Sequence, residues 1–313
     1  MNTVRVFCLS RAVGPITHMT GTEGNESIIA REPILHDGTI RRVPYLSGNA
    51  LRSCCIRNPG MRWLIDQYGL AGKLPLPQLN FLLHGGALTE STGRENVARI
   101  AEMHDAWPLL RVLGGSLPDQ ILSGSLIAGR GVLVCEENRP TLKALVPDQF
   151  ELPTTLLPGE TFVRPYQYMT YDANDRDAEL VAPASGDKTR GAEDVRMIYA
   201  GQSVAAGALF VHDFVIRWAR PEDVGALLWS LQLWQANGST IGGMAAKGHG
   251  RLDTAICVTG IEPDQEQLVE AYKSAALKRK DRAVTWLAAA FKEKEKKEKK
   301  PGRQKKEAAE PVE

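Results

Sequence analysis

The spacing of apolar residues along the chain predicts an alternation of strands and helices. Every second residue around Val4, Val6 and Cys8 is apolar, which predicts a first strand over 3–9. Apolar residues spaced three and four apart predict a helix over 221–236, with Val224, Leu227, Leu228, Leu231 and Trp234 on one face. The other main segments follow the same two patterns: a helix over 47–68 and strands over 125–136, 205–218 and 251–258.

The order of these segments is strand, helix, strand, strand, helix, strand. This order predicts an α+β protein with a ferredoxin-like, RRM-like βαββαβ core and large insertions. The predicted core spans residues 1–260, with a helical insertion at 71–110 and a thumb-like arm at 160–200. A C-terminal helix over 261–291 and a disordered charged tail over 292–313 follow it, and the polar stretch 10–44 is expected to be a long loop.

Charge, apolar content and cysteine spacing limit the classes of protein to which this chain can belong. The net charge is +1, and without the Lys- and Glu-rich tail the chain is close to neutral, so any nucleic-acid surface must be local. No apolar run approaches the length of a membrane span and the first residues do not resemble a signal peptide, which predicts a cytoplasmic protein without a membrane partner. The five cysteines form no CxxC pair, so neither disulfides, nor a structural zinc site, nor another cofactor is expected.

The stretch 238–253, GSTIGGMAAKGHGRLD, is the strongest candidate for a binding site. Its glycines free the backbone to adopt positive φ and to approach a ligand closely. Successive amides in such a loop can form an anion-binding nest, to which Lys247 and Arg251 add charge. The alternative is a plain glycine-rich turn, but Lys247, His249 and Arg251 favour contact with phosphate or nucleic acid. The spacing fits neither a P-loop nor a dinucleotide-binding fingerprint.

A second candidate is the start of the first helix, residues 44–52. Ser47 or Asn49 can cap the helix, and free amides at a helix start favour a phosphate. Nearby cations come from Arg41, Arg42, Arg52 and Arg57, although an ordinary capped helix with surface arginines gives the same pattern. Pro59 and Gly60 are expected to interrupt this helix.

A third candidate lies in the arm, where aromatic residues and an arginine occur together. Arg164 lies close to Phe162, Tyr166, Tyr168 and Tyr171. Aromatic rings beside arginine suit base stacking on single strands, and half-buried strand aromatics are the alternative.

Together these segments resemble the RAMP-superfamily backbone subunits of class 1 CRISPR effector complexes. PYLSGNALR (residues 44–52) is similar to that family's first-helix motif, and IGGMAAKGHGRL (241–252) is similar to its glycine-rich loop. Residues 164–207 resemble its thumb insertion and the strand that follows. LGGSLPDQILSGSLIAGRGVLVCE (113–136) favours the type IV branch.

The resemblance implies a subunit that polymerises head to tail along guide RNA and presents it for pairing with a target nucleic acid. It implies guide RNA, other copies of the chain and other effector subunits as partners, with contacts to the sugar-phosphate backbone that are independent of sequence. The residues expected to contact RNA are Arg41, Arg42, Ser47, Asn49, Arg52, Arg57, Arg164, Tyr166, Tyr168, Gly242, Gly243, Lys247, Gly248, His249 and Arg251.

The resemblance also implies that this subunit is not an enzyme. Asn25 occupies the position of the aspartate with which type III relatives cut target RNA, and an amide cannot replace that carboxylate. Two alternatives stay open. One is a guide-RNA-processing endonuclease of the same superfamily that uses His18, His36 or His249 in acid–base catalysis. The other is an enzyme that binds a phosphorylated small molecule at the glycine-rich loop.

Overall fold

The structure is a computed structural model that describes residues 3–23, 26–89, 96–169, 198–262 and 264–291. Its strands are β1 Val4–Ala12, β2 Met19–Glu23, β3 Glu26–Ile29, β4 Arg31–His36, β5 Thr39–Leu46, β6 Gly115–Leu117, β7 Gln120–Leu122, β8 Leu126–Ala128, β9 Gly131–Leu133, β10 Val163–Met169, β11 Ile198–Val204, β12 Leu209–Ile216 and β13 Leu252–Thr259. Its α-helices are α1 Gly48–Leu51, α2 Asn58–Gln67, α3 Leu76–His84, α4 Val97–Ala106, α5 Pro108–Leu113, α6 Arg139–Leu145, α7 Pro221–Ala236, α8 Gln265–Lys278 and α9 Lys280–Ala290.

The main sheet has the predicted topology. Its strand order is β13-β1-β12-β9-β5-β4, and the ladders β13–β1, β1–β12 and β12–β9 are antiparallel. In the predicted βαββαβ unit, β1 is the first strand, β9 belongs to the second, β12 is the third and β13 is the fourth. Their order in the sheet is therefore 4-1-3-2, as in a ferredoxin-like sheet. The predicted α+β fold with an RRM-like core is therefore confirmed.

Both faces of the main sheet are covered. Val4, Val6 and Cys8 of β1 belong to the large core cluster that also contains the buried residues of α7, whereas Phe7 packs in a smaller cluster with Leu142 of α6. Neighbouring residues of a strand point to opposite faces of the sheet, so β1 contributes side chains to the clusters on both faces. This explains why β1 is buried over most of its length.

The polar stretch 10–44 is not the loop that the sequence predicts. It forms β2 to β5, of which β2 and β3 pair with each other and β4 pairs with β5. All five residues of β2 are exposed, and four of the eight residues of β5 are exposed as well. Because β2 and half of β5 are exposed, the stretch shows no sustained apolar alternation, which is why periodicity missed these strands.

The first helical run continues through Pro59 and Gly60, contrary to the prediction of an interruption. A π-helical turn, Arg52–Arg57, joins α1 to α2, and the amide of Asn58 donates to the carbonyl of Ser53, five residues back. Pro59 lies in the first turn of α2, where a residue without an amide hydrogen is tolerated. The side chain of Ser230 on α7 occupies the position that a Cβ at Gly60 would need, so glycine lets the helices approach.

Two further elements are broken where the sequence predicts continuous ones. The strand predicted over 125–136 is β8 and β9, which both pair with β12 around Gly129, whose amide donates to Asp213 O at 2.8 Å. The C-terminal helix is α8 and α9, separated at Arg279, whose guanidinium donates to the Glu222 carboxylate at 3.0 and 3.2 Å. A contact with a residue far away in the chain therefore lies at each of the two breaks.

The other predicted elements agree with the structure. α7 has the predicted bounds, and the insertion predicted at 71–110 is helical, containing α3, α4 and the start of α5. β10 and β11 form the described base of the predicted arm, while residues 170–197 and the tail 292–313 lie outside the described residues. No helix in the described part of the chain is both long and apolar enough to cross a membrane.

Candidate nucleic-acid interface

Segment 15–18 connects the glycine-rich loop to the base of the arm and to the first helix. The amides of Gly250 and Gly243 donate to Pro15 O at 2.7 Å and Thr17 O at 2.8 Å. Ile16 and Val204 exchange two backbone hydrogen bonds of 2.8 and 2.9 Å, which fixes the end of β11 beside the loop. The glycine-rich loop, the base of the arm and the start of the first helix thus meet around this segment, in which Ile16 and Thr17 are buried and His18 accepts from the Ser47 amide.

The glycine-rich loop does not form the predicted nest of free amides. The amides of its glycines are used within the fold: Gly242 donates to the sulfur of Cys54, Gly248 donates to Ala245 O, and Gly243 and Gly250 bind segment 15–18. Gly242 and Gly250 have φ of 77° and 81°, and a Cβ on either would collide with a backbone carbonyl. These glycines shape the loop, so an anion would be bound here by side chains.

Three tyrosines form a platform beside the loop, which we call the tyrosine platform: Tyr166 and Tyr168 on β10 and Tyr199 on β11. The centroids of Tyr168 and Tyr199, which face each other across the ladder, are 4.9 Å apart and the rings are inclined by 12°. Tyr166 continues the row at 6.4 Å from Tyr168, again at 12°. Arg164 is exposed two residues before Tyr166, on the same side of β10. Aligned rings beside a cation are suited to stacking on bases.

Two side chains of the glycine-rich loop reach this platform. The Lys247 ammonium lies 2.8 Å from the centroid of the Tyr168 ring and 5.9 Å from that of Tyr199. The His249 ring packs edge-on against Tyr166 at 5.5 Å, and its Nδ1 is 2.6 Å from Thr17 Oγ1. Burial, and then the charge of Lys247, lower the pKa of His249. The neutral His249 ring therefore supports the tyrosine platform by packing against it, and Lys247 supplies the positive charge of the site.

The first helix begins close to the same site. Ser47 is the N-cap, as predicted, and its side chain accepts a hydrogen bond from the Ala50 amide. The Ser47 amide donates to His18 Nε2 at 3.1 Å, and burial lowers the pKa of His18. This amide is therefore satisfied by a neutral histidine, and the side chain of Ser47 is occupied as the cap.

The predicted arginines are distributed over different parts of the surface. Arg251 is exposed at the end of the glycine-rich loop. Arg41 and Arg42 are exposed on β5, where they pair with Ile34 and Pro33 of β4. No described hydrogen bond or ion pair links Arg41 or Arg42 to the glycine-rich loop.

Asn49, Arg52 and Arg57 line a separate cleft, which we call the arginine cleft. Arg57 is only 4% exposed and donates to the carbonyls of Phe81, Leu82 and Gly114 at 3.4, 3.2 and 2.8 Å. Arg52 donates to the carbonyl of Leu113. The structure thus divides the residues predicted as one RNA site into an interface around Lys247 and a cleft around Arg57.

Sequence reasoning missed Thr17 and Tyr199 and considered His18 only as a catalytic candidate. Tyr199 lies at the end of the segment predicted as an arm, and the register that places it against Tyr168 depends on pairing across that arm. Thr17 lies in a stretch predicted as a loop, and no local pattern marks its contacts with Gly243 and His249.

Asn25 and His36 are the remaining predicted residues that bear on catalysis. Asn25, on which the expected lack of cleavage rests, lies outside the described residues. His36 is paired with Asp37 at 3.4 Å on β4. Within the described ranges, no three His, Cys, Asp or Glu residues are arranged to hold a metal ion.

Comparison with known proteins identifies a structural relative. The chain is similar to a chain of a solved structure entitled "Type IV-B CRISPR Complex", with a TM-score of 0.54 and 14% sequence identity over 83% of this chain and 93% of that one. At this identity the similarity shows that the two chains share a fold. No protein-family model matches the sequence, and no curated protein matches it.

Proposed function

We propose that this protein is a backbone subunit of a CRISPR effector complex that binds the sugar-phosphate backbone of guide RNA along the tyrosine platform and the glycine-rich loop. The observation that carries the proposal is the meeting of Lys247, His249 and the three tyrosines at one exposed site. The fold shared with a chain of a type IV-B CRISPR complex supports it.

The chemistry of the site suits a single strand of any sequence. Bases stack on aromatic rings irrespective of their identity, and a lysine binds phosphate as a point charge. The Lys247 ammonium lies over the Tyr168 ring, so a base that stacks there takes its place while the ammonium turns to a phosphate. The RNA would then present its bases to a target, and copies of the chain would follow one another along it.

The subunit is proposed to be non-catalytic. The candidate acid–base residues His18 and His249 are held in hydrogen bonds to Ser47 and Thr17, and burial lowers the pKa of both. These are bracing contacts, and we assign the two histidines a positioning role. Cleavage of a precursor guide RNA by the purified subunit would contradict this part of the proposal and favour a processing endonuclease.

Replacing Lys247 with alanine is expected to weaken binding of single-stranded RNA about 5- to 10-fold, since one phosphate contact is lost. The slope of log K against log salt should fall by about 1. Fluorescence anisotropy with a labelled unstructured RNA at several salt concentrations measures both. Tyr168→Ala should also weaken binding, because stacking contributes about 1–3 kcal/mol per base.

Lys143→Ala is the matched control, because Lys143 is an exposed lysine on α6, near the sheet face opposite to the large core cluster. It should leave both the affinity and the salt slope unchanged. In cells that express a matching CRISPR array, the wild-type protein should co-purify with RNA in particles larger than a dimer. An RNA-free monomer or dimer that also fails to bind added RNA at low salt would refute the proposal.

A further inference from the structure

The arginine cleft is built around an unusual piece of helix. Arg52 and Arg57 are the first and last residues of the π-helical turn. In an α-helix, residues five apart differ in direction by about 140°, whereas the wider π turn, with i→i+5 hydrogen bonds, brings their directions closer together. The turn therefore directs two guanidinium groups into the same cleft, and such π segments often mark functional sites.

Among the residues that the structure describes, no carboxylate lines the cleft to balance these two charges. Neither Arg52 nor Arg57 forms an ion pair with another residue that the structure describes, and the partners of their guanidinium groups are neutral carbonyls. Arg52 Nε is buried and has no hydrogen-bond partner there. A buried polar group without a partner costs free energy, so a ligand that accepts this hydrogen bond gains from it.

The electrostatics support the same conclusion. Burial, and then the charge of Arg52, lower the pKa of Arg57 to about 10, and burial lowers the pKa of Arg52. Both shifts mean that the surroundings disfavour the positive charges. An anion in the cleft would relieve this and would raise both pKa values.

The walls of the cleft supply further hydrogen-bond donors and room. Ser53, Ser116, Ser123 and His84 line it together with several glycines, and its volume is about 580 Å³. Gly85 and Gly114 have φ of 91° and 65°, which lets the chain turn tightly there. The cleft is larger than a phosphate and lies in the size range of small-molecule sites, so it has room for the group to which the phosphate is attached.

We propose that the arginine cleft is a phosphate-binding site, distinct from the interface around Lys247, and that Arg52 binds the phosphate of a nucleotide while Arg57, held by its three carbonyl partners, adds a second positive charge to the cleft. Guanidinium groups match phosphate oxygens with paired N–H donors, which a lysine cannot do. The nucleotide is either free in solution or the terminal residue of a strand. This proposal does not depend on the function proposed above.

The test uses the full-length protein and inorganic phosphate as the first probe. Phosphate binding is followed by isothermal titration at constant ionic strength, with chloride as the reference anion. Arg52→Gln should weaken binding at least about 10-fold, as expected for loss of a charged hydrogen bond. Ser123→Asp, at an exposed position on the rim, should weaken it as well by repulsion, and Lys247→Ala should leave it unchanged.

A second pair of probes separates the two sources of the phosphate. The affinities of a short oligonucleotide with a 5′-phosphate and of the same oligonucleotide with a 5′-hydroxyl are compared in the Lys247→Ala background. A preference for the phosphorylated form that is lost with Arg52→Gln assigns the site to a strand end. Binding of inorganic phosphate and adenosine monophosphate without that preference assigns it to a free nucleotide.

Two results would overturn the proposal. One is the absence of phosphate binding by the wild-type protein with every probe. The other is binding that Arg52→Gln and Ser123→Asp both leave unchanged, provided that thermal unfolding shows both variants to be folded. If Arg52→Gln does not fold, the Ser123→Asp comparison decides alone. Loss of phosphate binding with Lys247→Ala would place the anion at the other interface and would equally refute a separate site.

Discussion

Replacing Gly250 with alanine is expected to lower the free energy of unfolding by about 2–4 kcal/mol, the sum of a left-handed backbone cost and a steric clash. Gly250 has φ of 81°, and a Cβ there would collide with the carbonyl oxygen of Ile241. The Gly250 amide donates to Pro15 O at 2.7 Å and its carbonyl accepts from the Ile241 amide at 2.9 Å. The loop cannot shift without breaking one of these bonds. Urea unfolding of the two proteins measures the difference.

Gly248→Ala is the matched control for this effect. Gly248 has the same φ of 81°, but no atom lies within 4 Å of the position of its Cβ. Its substitution should cost about 1 kcal/mol, from the backbone conformation alone. Equal losses for the two variants would contradict the close approach of Gly250 to Ile241. Because Gly250 anchors the loop that carries Lys247, we also expect Gly250→Ala to weaken RNA binding.

Acidification is expected to destabilise the protein by about 3 kcal/mol between pH 6.5 and pH 4 through one buried histidine. His212 is 2% exposed on β12, and burial lowers its pKa from 6.5 to about 4. Between these two values the unfolded chain binds a proton that the folded protein does not bind. The stabilisation is therefore complete above pH 6.5 and is lost as the pH falls towards 4.

The surroundings of His212 explain why it stays neutral. Its Nε2 is 3.1 Å from Ser10 Oγ, which is itself 2.8 Å from Thr254 Oγ1, so the polar row crosses β12, β1 and β13. Its Nδ1 is buried without a partner among the described residues, and Phe214 packs edge-on at 5.4 Å. No carboxylate contacts the ring in these bonds to offset a positive charge.

Urea unfolding at a series of pH values between 4 and 8 measures this dependence. His212→Gln should remove most of the slope attributed to this group, since glutamine does not titrate. If His212→Gln unfolds with the same pH dependence as the wild-type protein, the slope originates elsewhere.

The sequence by itself determined those helices, strands and loops that form through interactions between residues close together in the chain. The apolar period gave the order of the six core elements and the bounds of α7, because each of them buries a regular face. The cap at Ser47 could be predicted because its hydrogen bond joins two residues only three positions apart in the chain. The glycine-rich loop was located correctly as well, since its backbone needs positive φ at Gly242, Gly248 and Gly250.

Only the tertiary structure determined how these elements pair and which distant residues contact each other. The polar strands β2 to β5 exist because of backbone pairing, and Tyr199 joins Tyr168 because of a register set across the arm. The amides of Gly243 and Gly250, predicted to bind an anion, are used by segment 15–18, and Arg52 and Arg57 line a cleft to which the glycine-rich loop contributes no residue. Local sequence patterns predict the conformation of a segment because that conformation depends on interactions between residues close together in the chain. Contacts between residues far apart in the chain depend on how the elements pack, which no local pattern encodes.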